Sequence, residues 1–152
     1  MLVFVFIFSS LMVAEQNDAR SAEALAEVTR QVAGVTWNAS PEVADYNCDG
    51  RLDHAFLGMR AGKVIVAFRL SRAAKVQWFE FGVDSAEQES ICEKPAEIYT
   101  EDLDSDPSEA VDGVEGFKLS RTCKGLQLVG GECDFYHFYW NHVRKRMDWW
   151  RL

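Results

Sequence analysis

Ala55-Phe56-Leu57-Gly58-Met59-Arg60, then Ala61-Gly62-Lys63, then Val64-Ile65-Val66-Ala67-Phe68-Arg69-Leu70 is the stretch that decides the fold class. Two runs rich in β-branched, aromatic and other apolar residues flank a glycine-containing turn, which is the pattern of a β-hairpin. Downstream, Lys75-Val76-Gln77-Trp78-Phe79-Glu80-Phe81 alternates well enough for a third strand, with Val76, Trp78 or Phe79, and Phe81 competing for the buried face. Residues 116–120 and 125–129 predict two short strands, with Gly130-Gly131 as the next turn. Residues 135–140 and 147–151 predict two closing strands, joined by the basic turn Asn141-His142-Val143-Arg144-Lys145-Arg146. Between these blocks, Ile98-Tyr99 is a short apolar island. Residues 101–112 hold six acidic residues and Pro107, and so read as an exposed, mobile loop.

Upstream, residues 21–32 (SAEALAEVTRQV) place Leu25, Val28 and Val32 at helical spacing in an Ala- and Glu-rich run, which predicts one amphipathic helix ended by Gly34. The expectation is a mainly β (α+β) chain: a small antiparallel sheet or sandwich with one N-terminal amphipathic helix. At 152 residues and 48% hydrophobic composition, the chain has enough apolar mass for one packed domain, over residues 15–152. No internal repeat is visible.

The net charge of -8 argues against nucleic acid or an anionic membrane as partner, since both call for a basic footprint. An acidic balance suits cation binding, and equally suits plain solubility. Residues 1–14 (MLVFVFIFSSLMVA) form an uncharged apolar run that closes on a small residue before a polar stretch, resembling a secretory signal peptide. The run departs from the usual pattern in having no Lys or Arg before it, and its roughly 13 apolar residues are too few for a stable membrane span. An exported protein, periplasmic or extracellular, is expected.

In an oxidising compartment the four cysteines, Cys48, Cys92, Cys123 and Cys133, favour disulfides over zinc, and no Cys-x-x-Cys pair suggests a thiolate site. Three pairings are possible and the sequence does not choose among them. The spacing leans to Cys123 with Cys133 across a hairpin, leaving Cys48 with Cys92.

The chemistry-bearing segment is Asp45-Tyr46-Asn47-Cys48-Asp49-Gly50-Arg51-Leu52-Asp53. Calcium takes six to eight oxygen ligands, and alternate side chains of a tight loop converge on one point when a glycine lets the chain turn. Asp45, Asn47 and Asp49 stand at loop positions one, three and five, Gly50 at six, the Arg51 carbonyl at seven and Asp53 at nine. A helix-loop-helix calcium hand would add a Glu at position twelve, but Phe56 stands there and strand follows. The pattern Asp-x-Asn-x-Asp-Gly-x-x-Asp leading into a hydrophobic strand resembles the calcium loop of FG-GAP repeats, the blades of integrin-type propellers, over Asp45 to about Phe68. The resemblance implies Ca2+ held by Asp45, Asn47, Asp49, Arg51 and Asp53, the ion fixing the entry of the strand. Propellers take several such units. With one unit, the motif belongs to a different small β architecture. Cys48, at an even position, points away from the ion and is placed to pin the loop.

Asp102, Asp104 and Asp106 also alternate, but Pro107 stands where the turning glycine would be, so a solvated acidic loop is the preferred reading. The three histidines, His54, His137 and His142, come with no Gly-x-Ser-x-Gly elbow or cysteine-protease signature, and nothing nominates a catalytic residue. Alternation puts Tyr136, Phe138 and Trp140 on one strand face and Phe135, His137 and Tyr139 on the other, so at least one of these aromatic faces is core. Two functions fit. The first is a protein-interaction or binding module of the cell envelope, with structural calcium and an envelope or secreted protein as partner. The alternative is an envelope glycan hydrolase with calcium near the site and Tyr139, Trp149 or Trp150 as a sugar platform beside two carboxylates.

Overall fold

A computed structural model describes the backbone of residues 6–87, 90–109, 111 and 113–152, with side chains from residue 16 onward except residue 109. The first five residues of the expected leader lie outside the described residues. Helix α1 (Phe6–Gln31) contains most of the predicted helical segment. Among the described residues no helix is long and apolar enough to cross a membrane.

Strands β1 (Thr36–Trp37), β2 (Glu42–Ala44), β3 (Asp53–Arg60), β4 (Lys63–Arg69), β5 (Gln77–Val83) and β6 (Ser90–Ile91) make one sheet. Its order is β1-β3-β4-β5-β6, with β2 also pairing β3. Strands β7 (Glu97–Leu103), β8 (Ser120–Val129), β9 (Tyr136–Asn141) and β10 (Arg146–Trp150) form a second sheet in the order β10-β9-β8-β7. All pairings are antiparallel except β5 with β6. The expected β3–β4 hairpin is present, and its turn residues Ala61 (φ 48) and Gly62 (φ 84) are both left-handed, which suits the right-handed twist of the strands they join.

The layers follow from side-chain alternation. On one face of the first sheet, Phe56 and Ala67 are covered by Ala24 and Val28 of α1. On the other face, Ala55, Leu57, Val64, Val66 and Phe68 meet Leu126, Leu128, Tyr136, Phe138 and Met147 of the second sheet. Phe68 lies 5.5 Å from both the Tyr46 and the Phe138 ring, and Phe81 lies 4.4 Å from Tyr136. Each such fully buried ring contributes about 2–3 kcal/mol of apolar burial. The competition along β5 resolves with Phe79 and Phe81 on the core face and Trp78 outside, under the Arg60 guanidinium at 4.8 Å. Gln77 ties β5 to the edge of β10, donating to the Met147 carbonyl and accepting from the Met147 N–H at 2.8 Å.

Three expectations are corrected. The segment read as an apolar island followed by a mobile acidic loop begins as a full strand, β7, which includes Glu101 and Asp102. Asp102 pairs with Lys124 across the strands and Glu101 lies 2.9 Å from His137 Nδ1, so cross-strand side-chain contacts offset the poor strand preference of acidic residues. The two short strands expected over residues 116–129 are one ten-residue strand, β8, with 116–119 outside it. The cysteines pair as Cys48 with Cys123 (Cα–Cα 5.1 Å) and Cys92 with Cys133 (5.8 Å), not as Cys123–Cys133 and Cys48–Cys92. Cys123 sits in the β8 interior beside the loop before β3, a neighbourhood that only the packing of the two sheets creates.

Candidate metal centre

The loop 45–53 joins β2 to β3 and is curled by its own side chains. The Asp49 N–H is within 3.1 Å of Asp45 Oδ1 and 3.0 Å of Asn47 Oδ1, and the Gly50 N–H donates to Asp45 Oδ2 at 2.8 Å. Asp49 Oδ1 in turn accepts from the Arg51 N–H at 3.0 Å. Asp and Asn side chains make such local bonds to following amides readily, which is why they occupy tight turns. Gly50 has φ 81, the left-handed region where a side chain would strain the chain. Cys48 has φ 61 and is held there by its disulfide and by the turn.

Two fixtures fasten the curl to the sandwich. The Asp45 carbonyl accepts the Lys124 N–H at 2.9 Å, beside the Cys48–Cys123 bridge, so the loop is tied twice to β8. At its far end Asp53 is fully buried, and its carboxylate accepts from the Tyr46 and Asn47 N–H groups on Oδ2 and from the Ser71 N–H, at 2.7 Å, on Oδ1. Burial raises the Asp53 pKa despite these three bonds, which act the other way. Within the loop Tyr46 is also fully buried, its hydroxyl 3.0 Å from Thr100 Oγ1 in β7.

The five expected calcium residues therefore divide. Asp45, Asn47 and Asp49 lie along the curl with side-chain oxygens bonded to its own amides, and Arg51 follows. Asp53 serves as the buried anchor between the loop and Ser71. Among the described residues no three His, Cys, Asp or Glu side chains form a ready-made metal cage. The donor chemistry nevertheless fits a hard cation, because a carboxylate or amide oxygen that accepts one N–H keeps a second lone pair. Arg72 Nε lies 3.8 Å from Asp49 Oδ2, a weak exposed contact that a divalent ion would outcompete. Ser71 and Arg72 escaped the sequence reading because they come about twenty residues after the loop in a turn without any motif of its own.

The second acidic stretch is built otherwise. Asp102 points to Lys124, and Asp106 caps the short 3-10 turn Pro107–Glu109 through the Ser108 N–H at 2.9 Å.

Of the C-terminal aromatics, Tyr136 and Phe138 are core as alternation allows. Tyr139, facing the other way, is buried too, beneath Phe117 and bonded to the Glu115 carbonyl at 3.0 Å. Trp149 packs on Phe81 and Tyr136, and Trp150 stacks on His137 at 4.1 Å. These side chains line neither the cleft between α1 and the first sheet nor the hollow that Asp102, Asp104, Arg121 and Lys124 border between β7 and β8.

Compared with protein-family models, characterised proteins and solved structures, the chain matches none.

Proposed function

We propose that this protein is an exported calcium-binding domain that serves as a protein-interaction module of the cell envelope, with calcium in a structural role. The observation that carries the reading is the sharing of the Asp49 N–H by Asp45 Oδ1 and Asn47 Oδ1, which brings two ligand-type oxygens to one side of a glycine turn. Asp45, Asn47 and Asp49 would hold the ion with the Arg51 carbonyl. Asp53 would hold the loop, with the remaining lone pair of its Oδ1 turned to the same purpose. The bound ion would supply charge neutralisation to the acidic side chains of the loop, Asp45, Asp49 and Asp53. The similarity of residues 45–68 to FG-GAP calcium loops supports the same assignment.

Two disulfides suit an oxidising compartment, which supports export. Calcium is plentiful there, so a site of about 0.1–1 mM affinity suffices, as in other extracellular modules. The partner in this reading is an envelope or secreted protein.

Isothermal titration of the disulfide-intact chain with calcium tests the metal half of the proposal. One ion per chain is expected, with Asp45→Ala and Asp49→Ala each weakening binding at least about tenfold and Asp104→Ala leaving it unchanged. An absence of binding up to about 5 mM calcium, or equal binding by all variants, would overturn it.

A further inference from the structure

Between α1 and the start of the first sheet lies a cleft of about 580 Å³, within the range of small-molecule sites. Its walls are Arg20 and Glu23 of the helix, Arg51, Leu52 and His54 at the exit of the loop, and Arg69 and Ser71 at the end of β4. In a chain of net charge -8, three guanidinium groups against two carboxylates, Glu23 and Glu27, in one concavity is an uneven distribution of charge.

Their partners make the unevenness useful. Arg69 is committed to Glu27 and to the Leu70 carbonyl. No ion pair joins Arg20 or Arg51 to an acid among the described residues, although acids outnumber bases in the sequence. Ser71 Oγ is buried with no hydrogen-bond partner among the described residues, and a buried hydroxyl left so is destabilising until something bonds it. The rim is apolar and open: Leu52 is 56% and Val43 41% exposed. The same field is felt by His54, whose pKa is lowered first by burial and then by the Arg69 and Arg20 charges.

We propose that this cleft binds a small organic anion, a carboxylate or phosphate on an apolar body. Arg20 and Arg51 take the anionic oxygens, Ser71 Oγ donates to one of them, and Leu52 and Val43 cover the apolar part. Guanidinium groups suit this role because their forked donors match both anions. The site needs no metal, so it stands or falls apart from the calcium assignment.

The test is a titration of the isotope-labelled chain in EDTA with phenyl phosphate, benzoate, inorganic phosphate and, as the uncharged control, benzyl alcohol, following backbone amide and His54 ring signals by NMR. Phenyl phosphate or benzoate should give saturable shifts at Ser71, His54 and Arg20, tighter than inorganic phosphate, with benzyl alcohol silent. Whichever of the two aromatic anions binds more tightly names the headgroup. An Arg20→Gln/Arg51→Gln double variant should bind at least about tenfold more weakly, as expected for losing charge-assisted hydrogen bonds. Glu23→Gln, which removes a negative charge from the wall, should bind more tightly, and this gain cannot come from a damaged fold. Absence of saturation with every anion, equal binding of benzyl alcohol, or affinities indifferent to these substitutions would overturn the proposal.

Discussion

Two stretches of this chain carry aspartates at alternate positions, and the structure treats them in opposite ways. In residues 45–53 the acidic side chains bond the amides ahead of them, the chain turns at Gly50, and a disulfide and a buried carboxylate lock the result onto the sandwich. In residues 102–106 the first aspartate belongs to a strand and faces a lysine, and the last caps a short turn. Alternation alone therefore does not make a site. What separates the two is a residue able to take a left-handed conformation at the turning point, plus non-local ties that hold the curl. Gly50 and the Cys48 bridge supply these to one stretch, and Pro107, whose ring fixes φ near −65°, denies the first to the other.

The largest effect should come from cutting the tie to β8. A Cys48→Ser/Cys123→Ser variant opens a loop spanning a sequence separation of 75 residues. Loop-entropy arguments put the loss at about 4.5 kcal/mol, or a fall of about 9–18 °C in thermal midpoint for a chain of this size. Differential scanning calorimetry reads it directly.

Asp53→Ala comes next, because it leaves the amides of Tyr46, Asn47 and Ser71 without their acceptor. A loss of about 3 kcal/mol is expected in urea unfolding, from about 1 kcal/mol or more per orphaned buried donor. A loss below 1 kcal/mol would mean that water replaces the carboxylate and that Asp53 is no anchor.

Gly50→Ala is smaller, about 1 kcal/mol for a side chain at φ 81 with open space around it. Asp104→Ala, the matched change in the other stretch, should stay within about 0.5 kcal/mol, as exposed substitutions do. Equal costs at the two positions would erase the contrast between the stretches.

The smallest effect is on pH dependence. His54 titrates below its usual 6.5 in the folded protein, so between its folded and unfolded pKa values the unfolded chain binds more protons and stability rises with pH. The increment is complete above about 6.5 and is lost as pH falls through the folded value. A His54→Asn variant should show a flatter stability profile over that window than the parent.

Much of the first sheet was legible because its information is local. The hairpin of β3 and β4 is written in two apolar runs and a glycine turn, and the helix in the spacing of Leu25, Val28 and Val32. The second sheet was legible in β9 and β10, where aromatic residues cluster, and in the C-terminal half of β8 over residues 125–129. Strand β7 was missed because Glu97, Glu101 and Asp102 are poor strand formers on their own. They become acceptable through Lys124, His137 and the neighbouring β2, all distant in sequence. The disulfides were mispaired for the same reason: sequence spacing favours the nearest partner, whereas Cys48 and Cys123 meet through the packing of one sheet on the other.

In the candidate metal loop the order of ligand-type residues was readable, as was the role of Cys48 in pinning it. The use of Asp53 as an anchor was not, because it depends on the amide of Ser71, which β4 returns to the loop. Tyr46 likewise shows no signal in the motif, yet its burial against Phe68 and its bond to Thr100 fasten the loop to the core.

The most direct measurement of the central claim is thermal unfolding of the disulfide-intact chain in EDTA and in about 1 mM calcium, beside Asp49→Ala and Asp104→Ala. Since a ligand that binds only the folded state stabilises it by mass action, an affinity of about 0.1 mM predicts about 1.4 kcal/mol, a rise of roughly 3–6 °C. The account predicts this rise in the parent and in Asp104→Ala, and its loss in Asp49→Ala. An unchanged midpoint in the parent, or a rise that Asp49→Ala retains, would contradict it.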